Sequence, residues 1–218
     1  MDVFARGVRL FGTDDSVYVR IVRLVLEEKG VPYELVPVDV FASAGVSADY
    51  RMRHPFGRIP ALSHDGFDLF ETGAITRYID EAFSGPSLQP GPLLARARLN
   101  QIVSILDSYA YIPMVWDVYV ERIEVAARGG TPDEGKIADA LEKAALCLKT
   151  LECLMGGADW LAGNQPSLAD FHAAPMISCF VLTEEGREML ASHPRLSGWW
   201  ARIQTRPSMV LTGVAAQH

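Results

Sequence analysis

A chain of 218 residues is long enough for one large or two small domains with a well-buried core. Its 49% hydrophobic and 22% charged residues are ordinary for a globular protein, and a net charge of −7 argues against nucleic acid as a partner. No run of about 18 apolar residues is present, so no membrane span is expected, and residues 1–9 carry Arg6 and Arg9 but no apolar stretch of a secretory signal.

Along the chain, Val8–Phe11 reads as a short strand, followed by a helix with Val17, Ile21, Leu24 and Val25 on one face. Gly30 is placed to cap that helix and Pro32 to block its continuation. Tyr33–Val40 is a second strand. Ala61–Ser63 and Phe67–Phe70 form a hairpin around Asp65-Gly66, and Thr72–Phe83 is a closing helix. Residues 84–92, SGPSLQPGP, hold three prolines and two glycines and read as a linker. The expected division is therefore 1–84, a linker at 85–91, and 92–218.

After the linker the pattern is helical. Leu93 to about Arg128 is one long apolar helix with a kink expected at Pro113. Thr131-Pro132-Asp133-Glu134 is a capping box opening a helix that runs to Gly156-Gly157. Ser167 and Asp170 form a variant capping box at the start of a buried helix, and Gly198–Ser208 belongs to a final one. Residues beyond Leu211 read as a frayed tail. Cys147, Cys153 and Cys179 fit no metal spacing. An odd count without a signal suggests reduced thiols and a cytoplasmic location, and no metal is expected. His54, His64, His172 and His193 form no ligand spacing and read as structural or exposed.

The most informative stretch is His54–Tyr78, HPFGRIPALSHDGFDLFETGAITRY. Ile59-Pro60 lies inside what reads as a strand, where a residue without an amide donor is confined to edges and bulges. Such an edge leaves backbone N–H and C=O groups for an extended peptide. The helix start at Glu71-Thr72 offers orphan N–H groups and positive dipole to a carboxylate. Together they suit a short peptide with an anionic end.

This segment resembles the glutathione transferase family, whose phrase NPFGQ, then Val or Ile, then PAL corresponds to HPFGRIPAL, and whose later LFES phrase corresponds to LFETGAITRY. WLAGNQPSLAD and GWWARIQTRPS are also family-like, so the resemblance covers nearly the whole chain. It is strongest to serine-type members, the plant phi class and its bacterial relatives. It implies an α/β thioredoxin-like N-terminal domain with a mixed four-stranded sheet, an all-α C-terminal domain, glutathione as co-substrate and a homodimer.

By the same resemblance the catalytic serine stands four residues after a glycine at the first strand-to-helix turn, which is Ser16 after Gly12. A free thiol titrates near about 8.5, and lowering that to about 6.5 takes roughly 2.7 kcal/mol. One hydroxyl hydrogen bond to a charged sulfur supplies about 1.5–3 kcal/mol and a helix N-terminus about 0.3–2. Ser16 is at the same time a good N-cap, and both roles can hold at once. Tyr18 is the rival hydroxyl. Asp14 and Asp15 flank the turn, and their charge would oppose thiolate formation if it faced the sulfur.

The resemblance implies further that Ile59, before a cis Pro60, pairs with the cysteinyl unit, and that Glu71 and Thr72 hold the γ-glutamyl end. Arg58 replaces the usual glutamine and is free to bind the glycyl carboxylate or steer the peptide. The family's His-Lys pair is Gly45-Val46 here, so that contact is absent or rebuilt around Arg51, Arg53 or Arg58. Gly73 stands where an arginine is common. The expected electrophile pocket, between the domains, draws on Val17, Tyr18, Phe41, Tyr109, Tyr111, Met114 and Val115. Phe56 is the expected dimer anchor, with Arg96 and Arg98 facing Glu71, Asp80 and Glu81 across the axis. Two other readings remain open: a non-catalytic binding or scaffold protein, and a glutathione-dependent reductase or isomerase.

Overall fold

A computed structural model describes residues 7–213; most of the expected signal-free start, residues 1–6, lies outside them, as do residues 214–218 of the tail expected beyond Leu211, whose Thr212 is nevertheless buried and donates to the Ser208 carbonyl at 2.8 Å. The chain divides into two compact units. The first holds a four-stranded sheet of order β2-β1-β3-β4, built from β1 (Val8–Gly12), β2 (Tyr33–Pro37), β3 (Ala61–His64) and β4 (Phe67–Phe70). β2 lies parallel to β1, with Leu10 opposite Leu35, and β3 runs antiparallel, with Leu10 opposite Leu62. Asp65 and Gly66 both take positive φ, 50° and 90°, the conformation a two-residue hairpin needs to match strand twist. This is the expected mixed sheet.

Helix α1 (Val17–Lys29) buries Ile21, Val22, Leu24, Val25 and Leu26 and ends at Gly30, whose φ of 65° lets its N–H reach back to Leu26 and Glu27. It packs beside α3 (Thr72–Ala82). Between them the chain forms α2 (Ala48–Arg53), capped by Ser47, a helix not expected from the sequence because six residues are too few to establish a helical period. The second strand ends at Pro37 rather than Val40.

A buried ion pair ties this unit together. Lys29 Nζ donates to Asp80 Oδ1 at 3.1 Å, to the Asp80 carbonyl at 2.9 Å and to the Pro86 carbonyl at 3.0 Å. Three acceptors offset the desolvation of the ammonium. Asp80 is therefore an interior residue and not one of the surface charges expected to face a second copy. The expected linker is also less loose than its composition suggests: Pro86 is held by Lys29, and Leu88 is buried in the second unit, its carbonyl accepting from Leu168 N.

The second unit runs Leu88–Arg206. Its helices are α4 (Leu93–Ile105), α5 (Glu134–Met155), α6 (Leu168–Phe180), α7 (Glu184–Ala191) and α8 (Pro194–Ile203). Two π-helical segments, Leu106–Ala110 and Ile112–Val125, replace the kinked α-helix expected around Pro113. A helical proline clashes with the carbonyl four residues earlier, which here is Tyr109. Widening the turn relieves that clash, and the Tyr109 carbonyl accepts from the buried Cys147 Sγ at 3.1 Å. Burial pushes the Cys147 thiol up, so it stays protonated and able to donate.

The last helix departs from the expected division. α9 (Pro207–Leu211) belongs with the sheet unit. Arg20 Nη2 on α1 donates to the Met209 carbonyl at 3.3 Å, and Ser208 Oγ donates to Glu28 Oε1.

Candidate active site

β1 ends in Gly12, where a Cβ would stand 2.3 Å from Val19 Cγ2, so only glycine lets α1 begin this close to the strand. The turn that follows brings Ser16 to the N-cap of α1. Its Oγ accepts from Val19 N at 3.4 Å and its carbonyl from Arg20 N at 2.9 Å. Accepting from an amide uses an oxygen lone pair and leaves the hydroxyl proton for another acceptor. The N-cap role and a donor role are thus compatible. Asp14 turns to Arg23 Nη1 at 3.3 Å, on the helix, and Asp15 is exposed; neither is bonded to Ser16. Tyr18 is half-buried two residues on, and side chains so spaced do not share a helix face.

The second element is the bend into β3. Ile59-Pro60 is cis, and the β-ladders begin at Ala61, which leaves the Ile59 backbone outside them. Ile59 and Val46 pack on one small cluster of Phe11, Tyr50 and Ala61. Tyr50 Oη donates to the Arg58 carbonyl at 2.6 Å and fixes the approach to the bend; burial pushes its phenol far above the ordinary range. Arg58 is exposed.

The third element is the head of α3. Glu71 holds φ 72° and ψ 113°, a conformation uncommon outside glycine and found where surroundings impose it. Its carbonyl accepts from Ala74 N and Ile75 N, both at 2.9 Å, while no side chain caps the helix. The first-turn amides therefore face outward with the positive end of the dipole. Thr72 is buried behind them and Glu71 is exposed. At Gly73, Arg77 Nη1 donates to the carbonyl at 3.1 Å, bringing a guanidinium to the position whose own arginine is missing.

His54 lies beside this corner. It is 3% exposed, its ring sits 4.9 Å from that of Phe70, and its Nδ1 has no partner among the described residues. Burial holds the imidazole below its ordinary range; the Glu71 charge pulls the other way and Arg58 adds to the depression. Nothing in its sequence context marks it as a neighbour of Glu71.

The expected electrophile walls fall into two groups. Phe41 is exposed, Tyr109 is 65% exposed, and Tyr18 and Tyr111 are half-buried. Val17, Met114 and Val115 are core residues; Met114 is 0% exposed because the π-helical turns bring Met114, Val115 and Val118 to the packed face. They can support a pocket but not line an open one. Phe56 is 71% exposed, and Met52, four residues before it, is exposed too. No group of ligating side chains that could hold a metal occurs among the described residues.

Known proteins give this geometry its context. Residues 10–87 match the model for the glutathione S-transferase N-terminal domain and residues 106–207 that for the C-terminal domain. Glutathione S-transferase F13 of Arabidopsis thaliana is 30% identical over 206 residues, 94% of each chain. The crystal structure of glutathione transferase F7 from Populus trichocarpa superposes with a TM-score of 0.82 at 31% identity, covering 94% of this chain and 97% of that one. Glutathione S-transferase I from maize, in complex with an atrazine glutathione conjugate, gives 0.83 at 28% identity, covering 94% and 96%. With its sheet order, its two matched domains and this identity across nearly its full length, the chain belongs to the glutathione S-transferase family, enzymes whose co-substrate is glutathione.

Proposed function

We propose that the protein is a serine-type transferase that joins the thiolate of glutathione to a small apolar electrophile. The observation that carries this reading is the Ser16 hydroxyl at the N-cap of α1, whose oxygen accepts from Val19 N while its proton stays available. In this reading Ser16 donates to the glutathione sulfur and holds it as thiolate, the thiol proton leaving to solvent. The thiolate attacks an electrophilic carbon, and the leaving group departs with the bonding pair. The Ile59 backbone, outside the ladders, pairs with the cysteinyl unit beside Pro60. Glu71 accepts from the γ-glutamyl ammonium, and Thr72 with the amides of α3 takes the adjoining carboxylate. Arg58 steers the anion. Within the sheet unit the partly or fully exposed Tyr18 and Phe41 suit a flat apolar partner, such as the atrazine portion of the conjugate held by the maize relative.

A non-catalytic scaffold has lost one of its motives, because Asp14 is paired with Arg23. A reductase reading lacks a cysteine in the sheet unit. The test of the binding half is Glu71→Ala, which should weaken glutathione binding by about 1.5–3 kcal/mol in calorimetry, the range for a hydrogen bond to a charged group. An unmodified protein that binds no glutathione at millimolar ligand would overturn the reading.

The same reading places the protein in the cytoplasm as a homodimer anchored by Phe56, a ring too exposed for a monomer to leave without cost. Light scattering at micromolar concentration should report about twice the 23.9 kDa chain mass. Phe56→Ala should shift the population toward monomer; a variant as firmly dimeric as its parent would remove Phe56 from that role.

A further inference from the structure

We infer that Arg51 is the cation that holds the glycyl carboxylate of glutathione, standing in for the missing side chains at Gly45 and Val46. This rests on the proposed glutathione site and adds to it the residue that distinguishes a free C-terminal carboxylate from a blocked one.

Three arginines surround the bend. Arg53 is committed: its Nη1 donates to both carboxylate oxygens of Asp68, at 2.6 and 2.7 Å, and its guanidinium lies 5.0 Å from the centre of the Phe11 ring. Arg58 is exposed, with its backbone pinned by Tyr50 and its charge felt at His54. Arg51 is different. A Cβ on Gly57 would lie 3.3 Å from Arg51 Nη1 and 3.2 Å from Val46 Cγ2, and one on Gly45 would lie 4.0 Å from Arg51 Nη2. The guanidinium is thus folded back from α2 over Gly57, beside Val46 and Gly45. Both Gly57 and Gly45 hold left-handed φ, 62° and 67°, so neither is readily given a side chain that would displace it. Among the described residues the Arg51 guanidinium makes no ion pair or hydrogen bond; only the backbone N–H of Arg51 is engaged, donating to the Ser47 carbonyl at 3.1 Å.

The position relative to the bend follows from packing. Val46, which with the guanidinium flanks Gly57, and Ile59, whose backbone would pair with the cysteinyl unit, rest on the same Phe11–Tyr50–Ala61 cluster. An extended peptide advances about 3.3 Å per residue. If its cysteinyl unit lies at Ile59 and its γ-glutamyl end at Glu71, its last carboxylate is one residue away on the opposite side. A planar fork of donors that is unspent and on an exposed residue matches a carboxylate there.

The test compares glutathione with its glycine monoethyl ester by calorimetry on the full chain, on Arg51→Ala and on Arg58→Ala, with thermal melts as a check on folding. The parent should bind glutathione about tenfold or more tighter than the ester, as a charge-assisted hydrogen bond requires. Arg51→Ala should lose that preference by weakening glutathione alone, Arg51→Lys should recover part of it, and Arg58→Ala should keep it. Equal binding of the two ligands by the parent, or a preference that survives Arg51→Ala and vanishes in Arg58→Ala, would overturn the assignment to Arg51. Failure of the parent to bind either ligand would instead overturn the glutathione site itself.

Discussion

Ser16→Ala should lower turnover of an activated aryl halide about 10- to 100-fold while leaving glutathione affinity nearly unchanged. The hydroxyl interacts with the sulfur far more strongly as a thiolate than as a thiol, so its loss falls on the ionised form. If the bond is worth about 1.5–3 kcal/mol, the pKa of bound glutathione should rise by about one to two units. Ultraviolet titration of the bound thiolate reads this directly. Ser16 also caps α1, and Ser→Ala at an N-cap costs about 0.5–2 kcal/mol of stability. Ser16→Gly separates the two roles, because glycine at an N-cap costs only about a few tenths of a kcal/mol. Both variants should show the raised pKa, and only the alanine variant a clear loss of stability. An unchanged pKa in both would move the role to Tyr18 or to a backbone amide.

Asp170→Ala should be the most damaging single substitution for the second unit. Asp170 is 0% exposed and accepts four hydrogen bonds, all at 2.8 Å: Leu161 N and Trp199 Nε1 to one oxygen, Ser167 N and Ser167 Oγ to the other. Burial pushes this carboxyl up, and the four donors pull it back. Removing it strands buried donors from three residues, at about 1–3 kcal/mol each. The combined loss should exceed about 4 kcal/mol, a large part of the roughly 5–15 kcal/mol typical of a folded domain. Urea unfolding followed by tryptophan fluorescence and circular dichroism would measure it. Asp170→Asn, which keeps the volume and one acceptor, should fall between. A loss below about 1 kcal/mol would show that water replaces the carboxylate.

Signals carried by adjacent residues are legible in the amino-acid order alone. Asp65-Gly66 specifies its hairpin, Gly30 its left-handed cap, and the Ser167–Asp170 spacing its helix start, because each interaction closes within a few residues. Ser16, by contrast, stands out four residues after Gly12 only through the family resemblance; what its position in the chain shows by itself is an N-cap. Long-range effects are not legible. Lys29 and Asp80 are 51 residues apart, and neither reads as buried alone. Asp14 reads as an obstacle to thiolate formation, yet Arg23, over two helical turns away, takes its charge. A proline in a helical pattern predicts a kink, and whether the chain kinks or widens depends on what accepts or donates at the freed carbonyl, here Cys147. The left-handed backbone of Glu71 carries no sequence mark, since glutamate does not favour it. Met114 and Val115 read as walls because an apolar residue on a helix looks the same whether it faces a ligand or a neighbouring helix.

The placement of α9 bears on the order in which the molecule is made. The sheet unit is assembled from residues that precede the helical unit in the chain and, in α9, from residues that follow it. Until Pro207–Leu211 emerges, the α1 surface around Arg20 and Glu28 lacks its partners Met209 and Ser208. These contacts between α9 and α1 are therefore completed only after the helical unit has been translated, out of step with the N-terminal-first order of folding during synthesis.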